Sequence, residues 1–268
     1  MTVKIAKIYD RLFDYESKTK IGRGEQFYPI HKKLQFSEEN YHDISDWIIG
    51  HFPIKEGEFI LDAGCGVGYV LIRICTIQNC TGLGISLSQK EIKFATEKCK
   101  ILGLYKKVSF EQKSFDEKTD KQFDVIIAIE SIKHSESVLD TIEILVKQLS
   151  PSGRIFILDD YETDLRFQFL KKQVKKFWAV DSIYKLSTVK EKLTELKISF
   201  EVIDFTSNVE YTKKRFTGLK VILGYLFLMI VRPFGFFKIY NIFFAGLCLE
   251  RLYKIKALEY KAIIATKN

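Results

Sequence analysis

Short apolar runs alternate with amphipathic stretches through most of this chain. Phe59–Leu61 is one such run, and it predicts a buried strand. Val67, Val70, Leu71 and Ile74 follow at helical spacing. Gly82–Ser86 predicts a second strand. A helix then opens at Leu87 and runs to about Leu102, with Ser88 as N-cap and Glu91 three residues on, the spacing of a capping box. Val108–Gln112 and Phe123–Ile129 predict the third and fourth strands, and the unbroken apolar run of the fourth predicts burial on both faces. A helix over Val138–Leu149, a turn at Pro151–Ser152–Gly153 and a fifth strand over Arg154–Leu158 come next. Helices near 163–178 and 187–197, a strand Phe200–Phe205 and a last strand Tyr260–Ala265 complete the series. Ahead of it all stand a helix over 4–20 (Ile5, Ile8, Tyr9, Leu12 and Phe13 on one face), a loop over 21–36 and a helix from about Ser37 to Ile49. Strand–helix alternation with short turns predicts an α/β fold with a doubly wound, mostly parallel, seven-stranded sheet. The expected division is a helical cap over 1–50, a core over 51–206 and 258–268, and a helical insertion over 207–257.

Composition narrows the class. At 268 residues and 47% hydrophobic, the chain can bury a sizeable core and is not disordered. Its five cysteines are scattered, with no C-x-x-C pair, which fits free thiols in a reducing compartment and predicts no metal site. The N-terminal Met-Thr-Val-Lys-Ile-Ala-Lys has no apolar signal region, so a cytoplasmic location is expected.

The net charge of +8 is uneven. Residues 1–200 carry 31 basic and 29 acidic side chains, and residues 201–268 carry 11 and 5. A uniformly basic domain would point to nucleic acid; here the excess sits in an apolar C-terminal stretch. Leu219–Val231 is apolar around the whole helix except at Lys220, Gly224 and Tyr225, and at 13 residues it falls short of the roughly 20 that span a bilayer. Lys213, Lys214, Arg215, Lys220, Arg232 and Lys238 have no acid among them. Two readings stand: a buried lid with a basic rim, or a greasy basic surface over 213–248 that touches a membrane or admits an apolar substrate.

The candidate chemistry lies where the first strand ends. Asp62 is followed by Gly64, Gly66 and Gly68 at alternate positions, and then by the helix. Glycine lets a backbone turn tightly against a ligand, and a helix start offers free N–H groups to an anion. A dinucleotide site wants G-x-G-x-x-G; here Tyr69 fills the third slot. The fourth strand delivers Glu130, Ser131 and His134 to the carboxyl end of the sheet, and the fifth delivers Asp159, Asp160 and Tyr161, which either face the substrate or, the favoured expectation, sit in a solvated turn.

Leu61-Asp62-Ala63-Gly64-Cys65-Gly66 resembles the first motif of class I S-adenosylmethionine (SAM) methyltransferases. Gly84-Ile85-Ser86-Leu87-Ser88, Glu130-Ser131-x-x-His134 and Leu149-Ser150-Pro151-Ser152-Gly153-Arg154 are similar to motifs of its small-molecule and lipid branch, which includes tocopherol and sterol C-methyltransferases, cyclopropane fatty-acid synthases and prenyl diphosphate C-methyltransferases. The likeness covers roughly residues 50–206 and the last strand. It implies a Rossmann-like fold and a SAM site at Tyr28, Asp62, Gly64, Cys65, Gly66, Ser86, Leu87, Glu91, Ser114, Phe115 and Ile129. Ser86 stands where an acid usually holds the ribose, and Glu91 either supplies that carboxylate or only caps its helix. Ser114 stands where an Asp often meets the adenine, with Phe115 beside the ring. Tyr28 either touches the ligand or packs. Glu130 and His134 are the catalytic candidates. Glu130 is a base or stabilises a cation, and His134 is a base or an ordinary helix-start histidine. The implied reaction methylates an apolar small molecule (prenyl, polyketide or lipid-like) in specialised metabolism. O- or N-methylation of a polar or aromatic compound, and a non-catalytic partner subunit, are the alternatives. No Asn/Asp-Pro-Pro-Tyr/Phe follows the fourth strand, which disfavours amino methylation of a nucleic-acid base; no nucleic-acid partner is expected, and an RNA methyltransferase is a rival suggested only by the pI near 9.0. The oligomeric state is left open.

Overall fold

The computed structural model describes residues 2–19, 34, 43–117, 121–163, 166–178, 180, 183–210, 215–231 and 237–267. Tyr28, nearly all of the loop 21–36, the start of the second helix at Ser37, and Lys213, Lys214 and Arg232 lie outside these residues, as does the side chain of Lys238.

The strands are β1 (Phe59–Ala63), β2 (Thr81–Ser86), β3 (Val108–Gln112), β4 (Phe123–Ile129), β5 (Leu149–Glu162), β6 (Ser199–Asp204) and β7 (Leu258–Thr266). They form one sheet in the order β3-β2-β1-β4-β5-β7-β6. Pairings from β3 through β5 are parallel, and β7 runs antiparallel to both β5 and β6. The helices are α1 (Thr2–Thr19), α2 (Ile44–His51), α3 (Tyr69–Ile77), α4 (Gln89–Ile101), α5 (Val138–Lys147), α6 (Gln168–Trp178), α7 (Leu186–Glu195), α8 (Thr217–Val231) and α9 (Phe237–Lys254).

The period of two along β4 shows why the sheet is covered on both sides. Val125, Ile127 and Ile129 join a core with residues of α2, α3 and α9, and Ile126 and Ala128 join another with residues of α5 and α7. Asp43 caps α2 through the Ser45 and Asp46 amides, and its other oxygen accepts from Tyr69 at 2.6 Å, which fixes α2 beside α3. Ser88 caps α4 at the Glu91 amide and donates to Asp10 of α1 at 2.6 Å. Lys90–Asp14 at 2.6 Å and a Phe13–Phe94 edge contact at 5.7 Å continue that seam, so α1 lies along the start of α4.

Two expectations need correction. β5 is a 14-residue strand, longer than Arg154–Leu158, because it runs straight through the expected turn. Ser152 takes φ 60 and the register shifts between Phe123 and Val125, so the Pro-Ser-Gly segment is an irregularity inside the strand. The helix expected from 163 begins at Gln168, because Thr163 still follows the sheet, its amide bonded to the Ala257 carbonyl at 3.2 Å. All five cysteines are buried free thiols.

Ile127 is fully buried in the centre of the sheet and Ile101 is 79% exposed at the end of α4. Ile127→Ala should cost about 2–5 kcal/mol in urea denaturation, and Ile101→Ala should stay within about 0.5 kcal/mol.

Candidate active site

The strand order reverses at β1 and β4: the chain lays β2 and β3 to one side of β1, then β4 and β5 to the other. Open α/β sheets bind ligands at the carboxyl ends beside such a reversal. A cavity of about 520 Å³ occupies that place, within the size range of small-molecule sites. Gly64, Cys65, Gly66 and Val67 line it from the glycine turn, Ser86, Leu87 and Glu91 from the β2–α4 junction, Phe115 from beyond β3, and Ile129, Glu130, Ser131, Lys133 and His134 from beyond β4. The opposite wall is mostly apolar: Ile5, Ile8 and Leu12 of α1, Trp178 of α6, and Ile242, Phe243 and Leu247 of α9.

The turn's geometry explains two of its glycines. Gly64 has φ 93, and a Cβ there would lie 2.3 Å from Ser131 Cβ, so no side chain fits between the ends of β1 and β4. Gly66 has φ 52, and a Cβ there would meet only Glu91 Oε1, at 3.9 Å. The space beside Gly66 is therefore open to a ligand. Glu130 also takes a left-handed φ of 51, a conformation non-glycine residues rarely hold outside constrained sites.

Most of the sequence-predicted residues converge here. Gly64, Cys65, Gly66, Ser86, Leu87, Glu91, Phe115, Ile129, Glu130 and His134 all line the one cavity. Ser86 Oγ donates to Glu91 Oε2 at 2.8 Å, which carries a carboxylate to the Ser86 position. Ser88 does the capping, accepting from the Glu91 amide at 3.2 Å, while the Glu91 side chain reaches Ser86 and the Ser88 amide bonds Ser86 Oγ at 3.2 Å. Asp62 and Ser114 do not reach the cavity wall. Asp62 is buried behind the turn and accepts from the Leu71 amide, so one N–H at the start of α3 is used by the protein itself. Ser114 accepts from the Asp116 amide at 3.2 Å, and its own amide bonds Glu117 at 3.1 Å. Tyr28 lies outside the described residues.

Behind Glu130 is a buried polar network absent from the sequence-based picture. Lys133 Nζ lies 2.9 Å from Asp159, 2.8 Å from Asp160 and 3.6 Å from Glu130. Burial pushes the Lys133 pKa down, but Asp159, Asp160 and Glu130 outweigh it and hold the ammonium well above its usual range. Tyr260 Oη donates to Glu130 Oε1 at 2.8 Å, and Tyr253 Oη donates to Asp160. Burial raises both phenols well above their usual pKa, and the neighbouring carboxylates add to it. Asp159, Asp160 and Tyr161 are therefore buried members of β5, not a solvated turn. Tyr9 Oη of α1 lies 2.8 Å from His134 Nε2. Burial, first among several causes, raises the Tyr9 pKa, so a neutral phenol can donate to that nitrogen when the imidazole proton is on Nδ1.

A family model described as a methyltransferase domain matches residues 54–218. The chain belongs to this methyltransferase-domain family. It is 32% identical over 124 residues to 27-O-demethylrifamycin SV methyltransferase of Amycolatopsis mediterranei, covering 46% of each chain. It is 27% identical over 162 residues to sterol 24-C-methyltransferase of Kluyveromyces lactis, covering 56% of this chain and 42% of that one. The chain thus spans less than half the length of these curated relatives. A cyclopropane synthase from Mycobacterium tuberculosis superposes with a TM-score of 0.75 at 12% identity over 98% of each chain, which shows a shared fold. The likeness runs through the methyltransferase-domain core and its flanking helices alike.

Lys133, Tyr9, Tyr253 and Tyr260 were missed because their partners lie far along the chain, up to 130 residues away for Tyr260 and Glu130. The available signal was Lys133 itself, one residue before His134, facing two acids at the end of the next strand.

In this methyltransferase domain, Asp62 Oδ2 and Ser131 Oγ are buried without a hydrogen-bond partner. Burial raises Asp62 to about 7 despite the Leu71 amide. A folded-state pKa above the unfolded value favours the native state below about 4. That contribution is lost as pH rises through about 7. In ligand-free protein, the stability of the parent relative to Asp62→Asn should therefore fall between those limits and level off above them. Urea midpoints across the range check this, and a difference that stays constant with pH would exclude it.

Proposed function

We propose that this protein is a SAM-dependent methyltransferase acting on an apolar small molecule such as a prenyl, polyketide or lipid-like intermediate, in specialised metabolism. The observation that carries this reading is one continuous cavity, with a glycine turn and a paired carboxylate on one wall and apolar side chains on the other. The residues fit the methyl donor: the slot at Gly66 is open, Ser131 Oγ is a buried group awaiting a partner, Glu91 offers a carboxylate to ribose hydroxyls, and Phe115 offers an apolar edge to adenine. When bound, SAM would supply an electrophilic methyl carbon on a sulfonium, which the acceptor takes in line as the carbon–sulfur bond breaks and S-adenosylhomocysteine leaves.

The chain's own part is to position the acceptor, exclude water and manage charge. Holding two reactants in line contributes about 7–11 kcal/mol. Ile5, Ile8 and Leu12 of α1 and Ile242, Phe243 and Leu247 of α9 form the apolar face against which the acceptor lies. Helices α1 and α9 thereby act as cap and lid over the core. Glu130 already accepts from Tyr260 and faces Lys133, so it is oriented to act through its charge, stabilising positive charge beside the reacting carbon. In the tautomer whose Nε2–H donates to Tyr9 Oη, His134 keeps Nδ1 as the nitrogen that takes a proton when the acceptor must lose one. An apolar acceptor is favoured over a small polar one by the α1 and α9 wall.

Isothermal titration should show saturable binding of both SAM and S-adenosylhomocysteine, and no heat with either would remove the cofactor reading. With prenyl, sterol and polyketide acceptors, Glu130→Gln should lower S-adenosylhomocysteine production about 10²-fold or more while leaving the affinity for S-adenosylhomocysteine near that of the parent. Undiminished production would take Glu130 off the catalytic list.

A further inference from the structure

Helix α8 is apolar on every side, yet only one side is covered. Val221 and Leu228 are buried, and Gly224 presses so close to Leu247 of α9 that a Cβ there would lie 2.9 Å from its side chain. The other side carries Leu219, Ile222, Leu223, Leu226, Met229 and Ile230, each between 53% and 66% exposed. Their spacing places them along one stripe of the helix. Lone proteins seldom leave such a contiguous apolar stripe in water. Phe169 of α6 extends it, packing edge-on against Tyr225 at 5.8 Å, and exposed Phe167 adjoins it in sequence.

The surroundings say what covers this stripe. Helices α6 and α8 contain no Asp or Glu; of their lysines, Lys171 is buried against Glu162 at 3.2 Å and Lys220 stands 4.0 Å from Glu250, while Lys172 and Lys176 are exposed. A second copy docked through the same face would bring another set of lysines and no Asp or Glu from α6 or α8 to meet them. Anionic lipid headgroups instead complement them, while acyl chains accept the stripe. A helix of 15 residues is about 22 Å long, short of the roughly 30 Å hydrocarbon core. Among the described residues no helix is long and apolar enough to cross a membrane. The fitting position is flat in the interfacial layer.

An apolar track joins this stripe to the cavity. Phe227 of α8 meets Tyr240 of α9 edge-on at 5.2 Å, Phe243 follows one turn later, and Tyr15 of α1 meets Phe243 at 5.4 Å. All four are partly exposed, and Phe243 also lines the cavity.

We propose that the outward stripe of α8, with Phe167 and Phe169, docks on an anionic lipid bilayer, and that the acceptor enters from the bilayer along Phe227, Tyr240 and Phe243. The docking stands on the surface alone; the route rests on the methyltransferase reading. Flotation with vesicles of phosphatidylcholine, with or without phosphatidylglycerol, tests it. The parent should float with the anionic vesicles and release as salt rises. Leu223→Glu/Ile230→Glu should weaken vesicle binding about tenfold or more, with S-adenosylhomocysteine affinity in solution unchanged. Lys172→Glu/Lys176→Glu should weaken binding to anionic vesicles roughly fivefold per lysine. A parent that floats with neither vesicle overturns the proposal. So does light scattering that finds a dimer which Leu223→Glu/Ile230→Glu converts to a monomer, since the stripe then belongs to a second copy. Vesicle binding without S-adenosylhomocysteine binding would leave the docking surface intact and remove the catalytic reading instead.

Discussion

The ends of β1 and β4 approach so closely that only glycine fits between them. Gly64 faces Ser131 with no room for a methyl group, and Glu130 follows β4 in a left-handed conformation. Hydrogen bonds hold both ends: the Gly64 and Cys65 amides bond the Ile85 carbonyl at 2.9 Å, and the Glu130 amide bonds Leu158 at 2.8 Å. The turn is thus fixed to β2 on one side and the catalytic-candidate segment to β5 on the other. What remains between them, beside Gly66, is the slot from which the cavity opens.

The polar network around Lys133 keeps that arrangement from relaxing. Four ionisable groups taken out of water are costly, and they are tolerated when hydrogen bonds and opposite charges meet them together. Lys133 touches Glu130, Asp159 and Asp160, and the phenols of Tyr253 and Tyr260 meet two of those acids. These side chains come from β5, β7, α9 and the segment after β4, so one network joins the carboxyl end of the sheet to α9, a helix of the cavity's apolar wall. Removing one partner from such a set leaves a buried charge uncompensated, which makes the network rigid and the placement of Glu130 specific.

The elements that rest on local pattern were legible in the chain. The apolar runs of β1 and β4, the Ser88 cap and the glycine turn all follow from neighbouring residues, and the seven strands appear near their predicted places. Where partners are remote, the sequence was silent. Asp159 and Asp160 look like a solvated turn until Lys133 is placed beside them, and Tyr9 looks like one more apolar-face residue until α1 brings it to His134. The path of β5 through Pro151–Gly153 was hidden for a similar reason, because pairing with β4 and β7 overrides local turn chemistry. Asp62 was legible as part of a motif but not as a group turned away from the cavity toward α3.

The central claim is that the bend after β1 cradles the methyl donor. Amide hydrogen exchange with and without S-adenosylhomocysteine tests it most directly. Added S-adenosylhomocysteine should slow exchange in peptides covering residues 62–70, 86–92 and 113–116, the segments at the carboxyl ends of β1, β2 and β3. Protection confined to other parts of the chain, or none at saturating ligand, would contradict the account.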